Sequence, residues 1–353
     1  MEELCREMTA RGMTTPLIVG GATTSALHTA VKLAPLYAHV YHAADASAGA
    51  VMAKKLMQDR EGFEKEQHAA QDALRATYAA RKAPAAAKAT PFPADSYLRP
   101  EEFSFPDRIG TIPLEDLVPI FDWRLFRTVW GVKGENPDID AEGQAVLKEL
   151  IDTKAISVEI AVRFFEASST GDAIDLGVRK LPMLRQETGE GLSLADFVPT
   201  EGKGPFGLFA LSVQDTHPEG CTCEACRNEY DSMMRRAVKV TLAEAASEWL
   251  DREIARHVTR EGVRIVKPAA GYASCPDHSL KRDILSLLPR NPGILLTETC
   301  SMRPDASICG FILVHSEAKY PEIRHVGPDQ YDRYSKARGF SEEEARLFLS
   351  HLQ

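Results

Sequence analysis

The stretch RNEYDSMMRRAVKVTLAEAASEWLDREIARHV, residues 227–258, decides the fold. Met, Val, Leu and Ala recur along it at helical spacing while most charges fall on the other side, so it reads as one long amphipathic helix. Strand-like runs surround it: ISVEIAVRFF (156–165), FGLFALSV (206–213), GILLTET (293–299) and CGFILVHS (309–316). Mixed strands around one dominant helix predict an α+β domain with an antiparallel sheet, taken here as residues 97–353.

The N-terminal zone, residues 1–60, has a different rhythm. TPLIVGGATT (15–24) is an apolar run ending in glycines, SALHTAVKLAPLY (25–37) has helical spacing, AHVYHAADAS (38–47) is a second short strand, and AGAVMAKKLM (48–57) is helical again. Strands alternating with helices imply βαβ units and a parallel sheet. Two strands are too few to bury both faces of such a sheet, so this zone reads as the back half of a doubly wound domain. Between the two lies zone 61–96, a charged, alanine-rich helix leading into APAAAKATPFPADS (83–96), which reads as a solvated helix and linker.

Composition narrows the function. Hydrophobic content of 44% and charged content of 26% are those of a globular protein, and a net charge of −9 argues against general nucleic-acid binding. No run of about 18 apolar residues is present, which argues against a membrane span. The opening MEELCREMTARG lacks the apolar core of a signal peptide, and seven cysteines, an odd number, read as reduced thiols. A cytoplasmic location is the expectation.

Two motifs carry possible metal chemistry. DTHPEG (215–220) matches Asp-x-His-x-x-Gly, a pattern with which corrinoid proteins offer an imidazole to cobalt, but the glycine pair Gly20-Gly21 lies far upstream instead of downstream. A polar turn before the long helix is the simpler reading. His217, Cys221, Cys223 and Cys226 hold the ligand types of a tetrahedral zinc site, yet they crowd into ten residues where structural zinc sites use separated pairs. Reduced loop thiols are favoured and no metal is expected.

The segment KPAAGYASCPDH (267–278) is neither helix nor central strand, because Pro268 and Pro276 fix the backbone and remove donors. Gly271 permits close approach of the chain and Tyr272 supplies a flat face. Cys275 and His278 have the spacing of a metal-site fragment. The residues alone leave a structural loop, a ligand cradle and a metal fragment open.

This segment resembles the Arg-Pro-Ala-Pro-Gly-Tyr-Pro-Ala-Cys-Pro-Glu-His stretch of cobalamin-dependent methionine synthases. LTETCSMRPDASICGFILVHSEAKY (296–320), LADFVP (194–199), IFDW (120–123) and the AEA of the long helix (243–245) fit the same family in the same order. PLIVGGATTSALHTAVKLAPLY (16–37) resembles the last third of its cobalamin-binding domain. The resemblance thus spans the chain. It implies an antiparallel-sheet reactivation domain preceded by a partial Rossmann-like (α/β) corrinoid-domain remnant, from a methyltransferase of methionine biosynthesis. The strand bearing the cobalt-ligating histidine, and the modules for homocysteine (with its zinc) and methyltetrahydrofolate, are expected to lie outside this chain.

The implied activity is reductive methylation of cob(II)alamin by S-adenosylmethionine, with electrons from a flavodoxin-like donor and with upstream cobalamin and substrate modules as partners. The residues that match the family's S-adenosylmethionine contacts are Asp122, Glu244, Glu261, Lys267, Ala269, Gly271, Tyr272 and Tyr320, the last near the reacting methyl group. Carboxylates suit a sulfonium, because a cation in a groove is costly unless countered. Gly20, Gly21 and Ala46 match cobalamin contacts. Two positions depart: Lys267 replaces an arginine, exchanging a planar fork for a point charge, and Pro321 replaces a second tyrosine. Arg264, three residues upstream, is a candidate substitute for that arginine. The alternative reading is a free-standing S-adenosylmethionine-binding module acting on a separate corrinoid protein.

Overall fold

A computed structural model describes residues 1–20, 24–80, 92–217, 221 and 228–352. The chain forms two compact units, Met1–Pro84 and Ala85–Gln353.

In the first unit, β1 (Leu17–Gly20) and β2 (Val40–Ala43) pair in parallel, Leu17 opposite Val40. Cys5, Met8, Val19, Leu33, Tyr37 and Val40 make its small core. Helix Arg60–Ala80 belongs to this unit. Its outer face is solvated as the sequence suggests, but its inner face is anchored. Phe63 meets Tyr41 edge-on, Gln71 donates to the Val40 carbonyl over 2.8 Å, and Glu64 pairs with His39 at 3.0 Å. The alanine-rich composition hid these anchors because most of them are polar side chains, His68 and Arg75 among them, that bond to backbone carbonyls and leave no apolar stripe.

The second unit is built on an antiparallel sheet. Its strands are β3 (Arg108–Ile112), β4 (Ile156–Ser169), β5 (Ala173–Asp175), β6 (Lys180–Pro182), β7 (Gly204–Asp215) and β8 (Arg264–Val266). A short antiparallel pair, β9 (Leu295–Leu296) and β10 (Met302–Arg303), precedes the last strand, β11 (Ser307–His315). The order is β6-β5-β4-β7-β11-β8, and β3 also pairs with β4. The 14 residues of β4 are long enough to serve β3 along one half and β5 at the far end.

Both faces of this sheet are covered, which explains why its strands read as continuous apolar runs instead of alternating ones. In β7, Phe209, Leu211 and Val213 enter one core, while Phe206, Leu208 and Ala210 enter the other. The first core is closed by the long helix, Glu229–Ala255, through Met234, Val238, Leu242, Ala246, Trp249 and Ile254. Most of their intervals are three or four residues, the spacing of one helical stripe. The second core is closed by helix Leu280–Leu287 through Leu280 and Ile284. The α+β fold with a central long helix therefore stands as the sequence implies.

Two C-terminal helices, Pro328–Arg338 and Glu342–Leu349, make a further cluster with Leu184, Cys300, Ile323 and Val326. Among the described residues no helix is long and apolar enough to cross a membrane.

Candidate ligand-binding site

The segment 267–278 leaves the end of β8 and folds against the middle of β11. Ala269 bridges Gly310, Phe311 N–H donates to the Pro268 carbonyl over 3.0 Å, and Ala270 N–H donates to the Cys309 carbonyl over 3.3 Å. Gly310 makes the approach possible: a Cβ there would stand 2.4 Å from the Pro268 oxygen. The loop then turns tightly, with Gly271 N–H to Cys275 O at 2.7 Å and Cys275 N–H to Tyr272 O at 2.8 Å. Gly271 has φ of +95°, and a Cβ on it would meet the His278 ring at 2.4 Å. These bonds satisfy the backbone groups that the prolines leave without a ladder.

The far end of the loop is locked from below. Asp277, buried, accepts from the Tyr334 hydroxyl at 2.8 Å and pairs with Arg338 at 3.1 Å. Arg338 also donates to Ser279 Oγ at 2.8 Å and pairs with Asp283 at 2.7 Å. Lys281, also buried, donates to the Cys300 carbonyl at 3.0 Å and lies 2.8 Å from His278 Nδ1. Burial pushes the Cys275 and Cys300 thiols up, and Cys309 to about 12, so these cysteines are inert apolar fillers and not ligands. The cavity beneath the loop, lined by Ser274, Cys275, Asp277 and Tyr334 among others, is about 10 Å³. That space admits about one water, so the inner side is shut and a ligand has only the outer side.

On the outer side the structure gathers several of the sequence-expected residues. Tyr272 is 71% exposed and Tyr320 is 56% exposed. The backbone N–H of Lys267 donates to the Tyr320 hydroxyl over 3.1 Å, joining the loop's head to the segment after β11. The Lys267 side chain runs to the long helix. Its ammonium lies 2.8 Å from Asp251, donates to the Ser247 carbonyl and sits 5.9 Å from the Phe209 ring centre. Burial holds this lysine below its ordinary pKa, against the pull of Asp251 and Glu244. Burial raises the Glu244 and Asp251 carboxyls, with Lys267 opposing. Glu244 still reaches solvent, so it is a partly desolvated carboxyl at the surface.

Two further expected residues sit on other elements. Asp122 caps helix Trp123–Trp130, its Oδ1 accepting from Arg124 N–H at 2.8 Å and Leu125 N–H at 3.2 Å. It borders an open hollow of about 780 Å³ with Arg124, Arg127 and Lys133. Glu261 is exposed in the turn before β8, at the opposite end of that strand from Lys267. Arg264, the candidate substitute for the family's arginine, stands on the opposite face of β8 from the Lys267 side chain. Ile265 packs toward the long helix and Val266 into the opposite core, so strand alternation puts Arg264 on the Val266 side, away from the Lys267 ammonium.

For the metal motifs, the Asp215 carboxylate accepts from the His217 backbone N–H at 2.8 Å and pairs with Lys239 at 2.8 Å, the geometry of a polar turn. Cys221 Sγ lies 3.7 Å from His217 Nδ1, while Cys223 and Cys226 fall outside the described residues. Among the described residues no group of three or more His, Cys, Asp or Glu side chains could hold a metal ion. In the first unit Gly20 ends β1, where a Cβ would stand 2.7 Å from the Ala43 oxygen; strand packing alone accounts for that glycine. Gly21 lies outside the described residues, and Ala46 opens helix Ala46–Gln58 behind its Asp45 cap.

Asp251, Ser247, Asp277, Tyr334 and Arg338 were not expected at this site. For Asp251 a signal existed: Glu244, Glu248 and Asp251 follow one another at four and three residues and so form an acidic ridge on one helix face.

The architecture is that of a domain with a long helix over an antiparallel sheet, carrying an outward-facing loop braced on its last strand. The family described as the vitamin B12 dependent methionine synthase activation domain matches residues 113–339, and the chain belongs to that family. The solved structure described as the MetH reactivation domain bound to AdoHcy is 23% identical over 76% of this chain and 98% of its own, with a TM-score of 0.68. That likeness is one of fold.

Proposed function

We propose that the chain binds S-adenosylmethionine on the outer side of the loop 267–278 and presents it for reductive methylation of cob(II)alamin. One observation carries the reading: on the ridge Glu244, Glu248 and Asp251, Asp251 pairs with the buried Lys267 ammonium and Glu248 with Arg252, which leaves Glu244 as the excess carboxylate, beside two exposed tyrosines. The excess of negative charge suits a ligand with a sulfonium and an ammonium group. When bound, S-adenosylmethionine would supply the methyl group. The protein would orient it, through Ala269, Gly271 and Tyr272 as the wall, Glu244 as counter-charge and Tyr320 toward the methyl end. Asp122 and Glu261 would complete the contacts.

The partners that fit this role are the cobalamin and substrate modules of a methionine synthase and a flavodoxin-like electron donor. Gly20, Gly21 and Ala46 would face the cobalamin. Calorimetric titration with S-adenosylmethionine and its demethylated product tests the proposal. Saturable binding of both, at about one per chain, is expected; no heat at millimolar ligand would refute it.

A further inference from the structure

Lys267 occupies the place where a cation would be expected to clamp the ligand's carboxylate, and its geometry is wrong for that task. The side chain is only 7% exposed, and its ammonium is committed to Asp251 at 2.8 Å and to the Ser247 carbonyl. Both partners lie on the long helix. To clamp a ligand's carboxylate, the ammonium would have to leave Asp251, whose carboxyl is already raised by burial. The Asp251 side chain is 42% exposed, but its Oδ1, the oxygen that faces Lys267, is buried, so losing the ammonium leaves that oxygen without its counter-charge, which is unfavourable. One surface carboxylate, screened by water, cannot offset that loss.

The backbone of the same residue does face the site. Its N–H holds the Tyr320 hydroxyl at 3.1 Å, and the next carbonyl, of Pro268, receives Phe311 N–H at 3.0 Å. Fixing the side chain to the helix therefore fixes the start of the loop at the point where Tyr320 and β11 meet it.

We propose that Lys267 is a positioning residue: it ties the head of the loop to the long helix through Asp251 and Ser247, and its ammonium does not bind the ligand's carboxylate. This rests on the S-adenosylmethionine reading above. It also makes a claim about specificity, since any preference for the carboxylate must come from elsewhere in the site.

The test compares S-adenosylmethionine with its decarboxylated analogue in calorimetry, using the wild type, Lys267→Met and Asp251→Asn. The proposal expects both variants to weaken the two ligands alike, by about tenfold in Lys267→Met, with their affinity ratio unchanged. A ratio that collapses toward one in Lys267→Met, from a clear wild-type preference for the carboxylate form, would overturn it. Asp251→Asn keeps the lysine and so carries the test if Lys267→Met does not fold; tighter binding of the carboxylate form alone would mean the freed ammonium is a clamp.

A second readout needs no ligand. Amide exchange at Gly271 and Phe311 is expected to quicken at least about tenfold in Lys267→Met, and in the same direction in Asp251→Asn, with no further gain in the double variant. Unchanged exchange overturns the positioning role. If the wild type binds neither ligand, the S-adenosylmethionine reading fails while this exchange result still decides the role of Lys267.

Discussion

The backbone N–H of Lys267 donates to the hydroxyl of Tyr320 over 3.1 Å, so one exposed tyrosine is registered directly on the first residue of the loop. The ring is 56% exposed, and water can take over the lost bond. Tyr320→Phe is therefore expected to cost at most about 1 kcal/mol in urea unfolding. Its effect should fall on affinity for S-adenosylmethionine, measured by titration at unchanged stability. A large drop in stability with affinity intact would mean the bond serves only the fold.

Gly271 has φ of +95° and faces the His278 ring, whereas Gly262, with φ of +74°, has open space where a Cβ would stand, with no atom within 4 Å. Gly262→Ala should cost only the backbone penalty, on the order of 1 kcal/mol. Gly271→Ala adds a clash with the ring and should cost about 2–4 kcal/mol. Equal costs in chemical denaturation would show that the His278 contact gives way freely.

Asp122 has two separable roles, helix cap and expected ligand contact. Asp122→Ala should lose about 1 kcal/mol of stability, and Asp122→Ser should keep most of it, because a serine also caps. If the carboxylate meets the ligand's ammonium, both variants lose affinity equally. If Asp122 only caps, Asp122→Ser binds as the wild type does.

His315 is buried among Phe92, Tyr97 and Phe197, with Ser96 at 3.2 Å from Nε2 and the Glu317 N–H donating to Nδ1 at 3.0 Å. Burial, with Arg260 nearby, lowers its pKa from 6.5 to about 4. Between those two values the unfolded chain binds the extra proton and the folded one does not, so stability rises with pH across that window. Acidification from pH 6.5 to 4 should remove roughly 3 kcal/mol through this residue. The histidines His278 and His351 shift the same way, again chiefly by burial. The pH dependence of His315→Gln, subtracted from that of the wild type, isolates the one residue; no difference between the two curves would refute the assignment.

Much of the second unit was legible because its signals are local. The long helix announces itself by period, and the apolar runs of β4, β7 and β11 announce strands, although only the structure explains why they do not alternate: each feeds two cores. The loop's shape was legible from Pro268, Gly271 and Pro276, whose conformational limits act on their own neighbours. What braces the loop was not. Asp277 and Arg338 are 61 positions apart, and Lys267 meets Asp251 across a strand–helix gap that no short pattern encodes. The direction of the Lys267 side chain is the instructive case: the motif placed a cation at the loop's head, and a carboxylate on the neighbouring helix engages it.

The central claim is that the outer side of residues 267–278, with Tyr320 and the Glu244 ridge, is where S-adenosylmethionine lies. Amide exchange of the wild-type chain with and without saturating S-adenosylmethionine tests this most directly. The account predicts added protection concentrated in residues 267–275, the segment around Tyr320 and the helix turn around Glu244, with smaller gains next to Asp122 and Glu261. Protection concentrated elsewhere, or none with ligand bound, would contradict it.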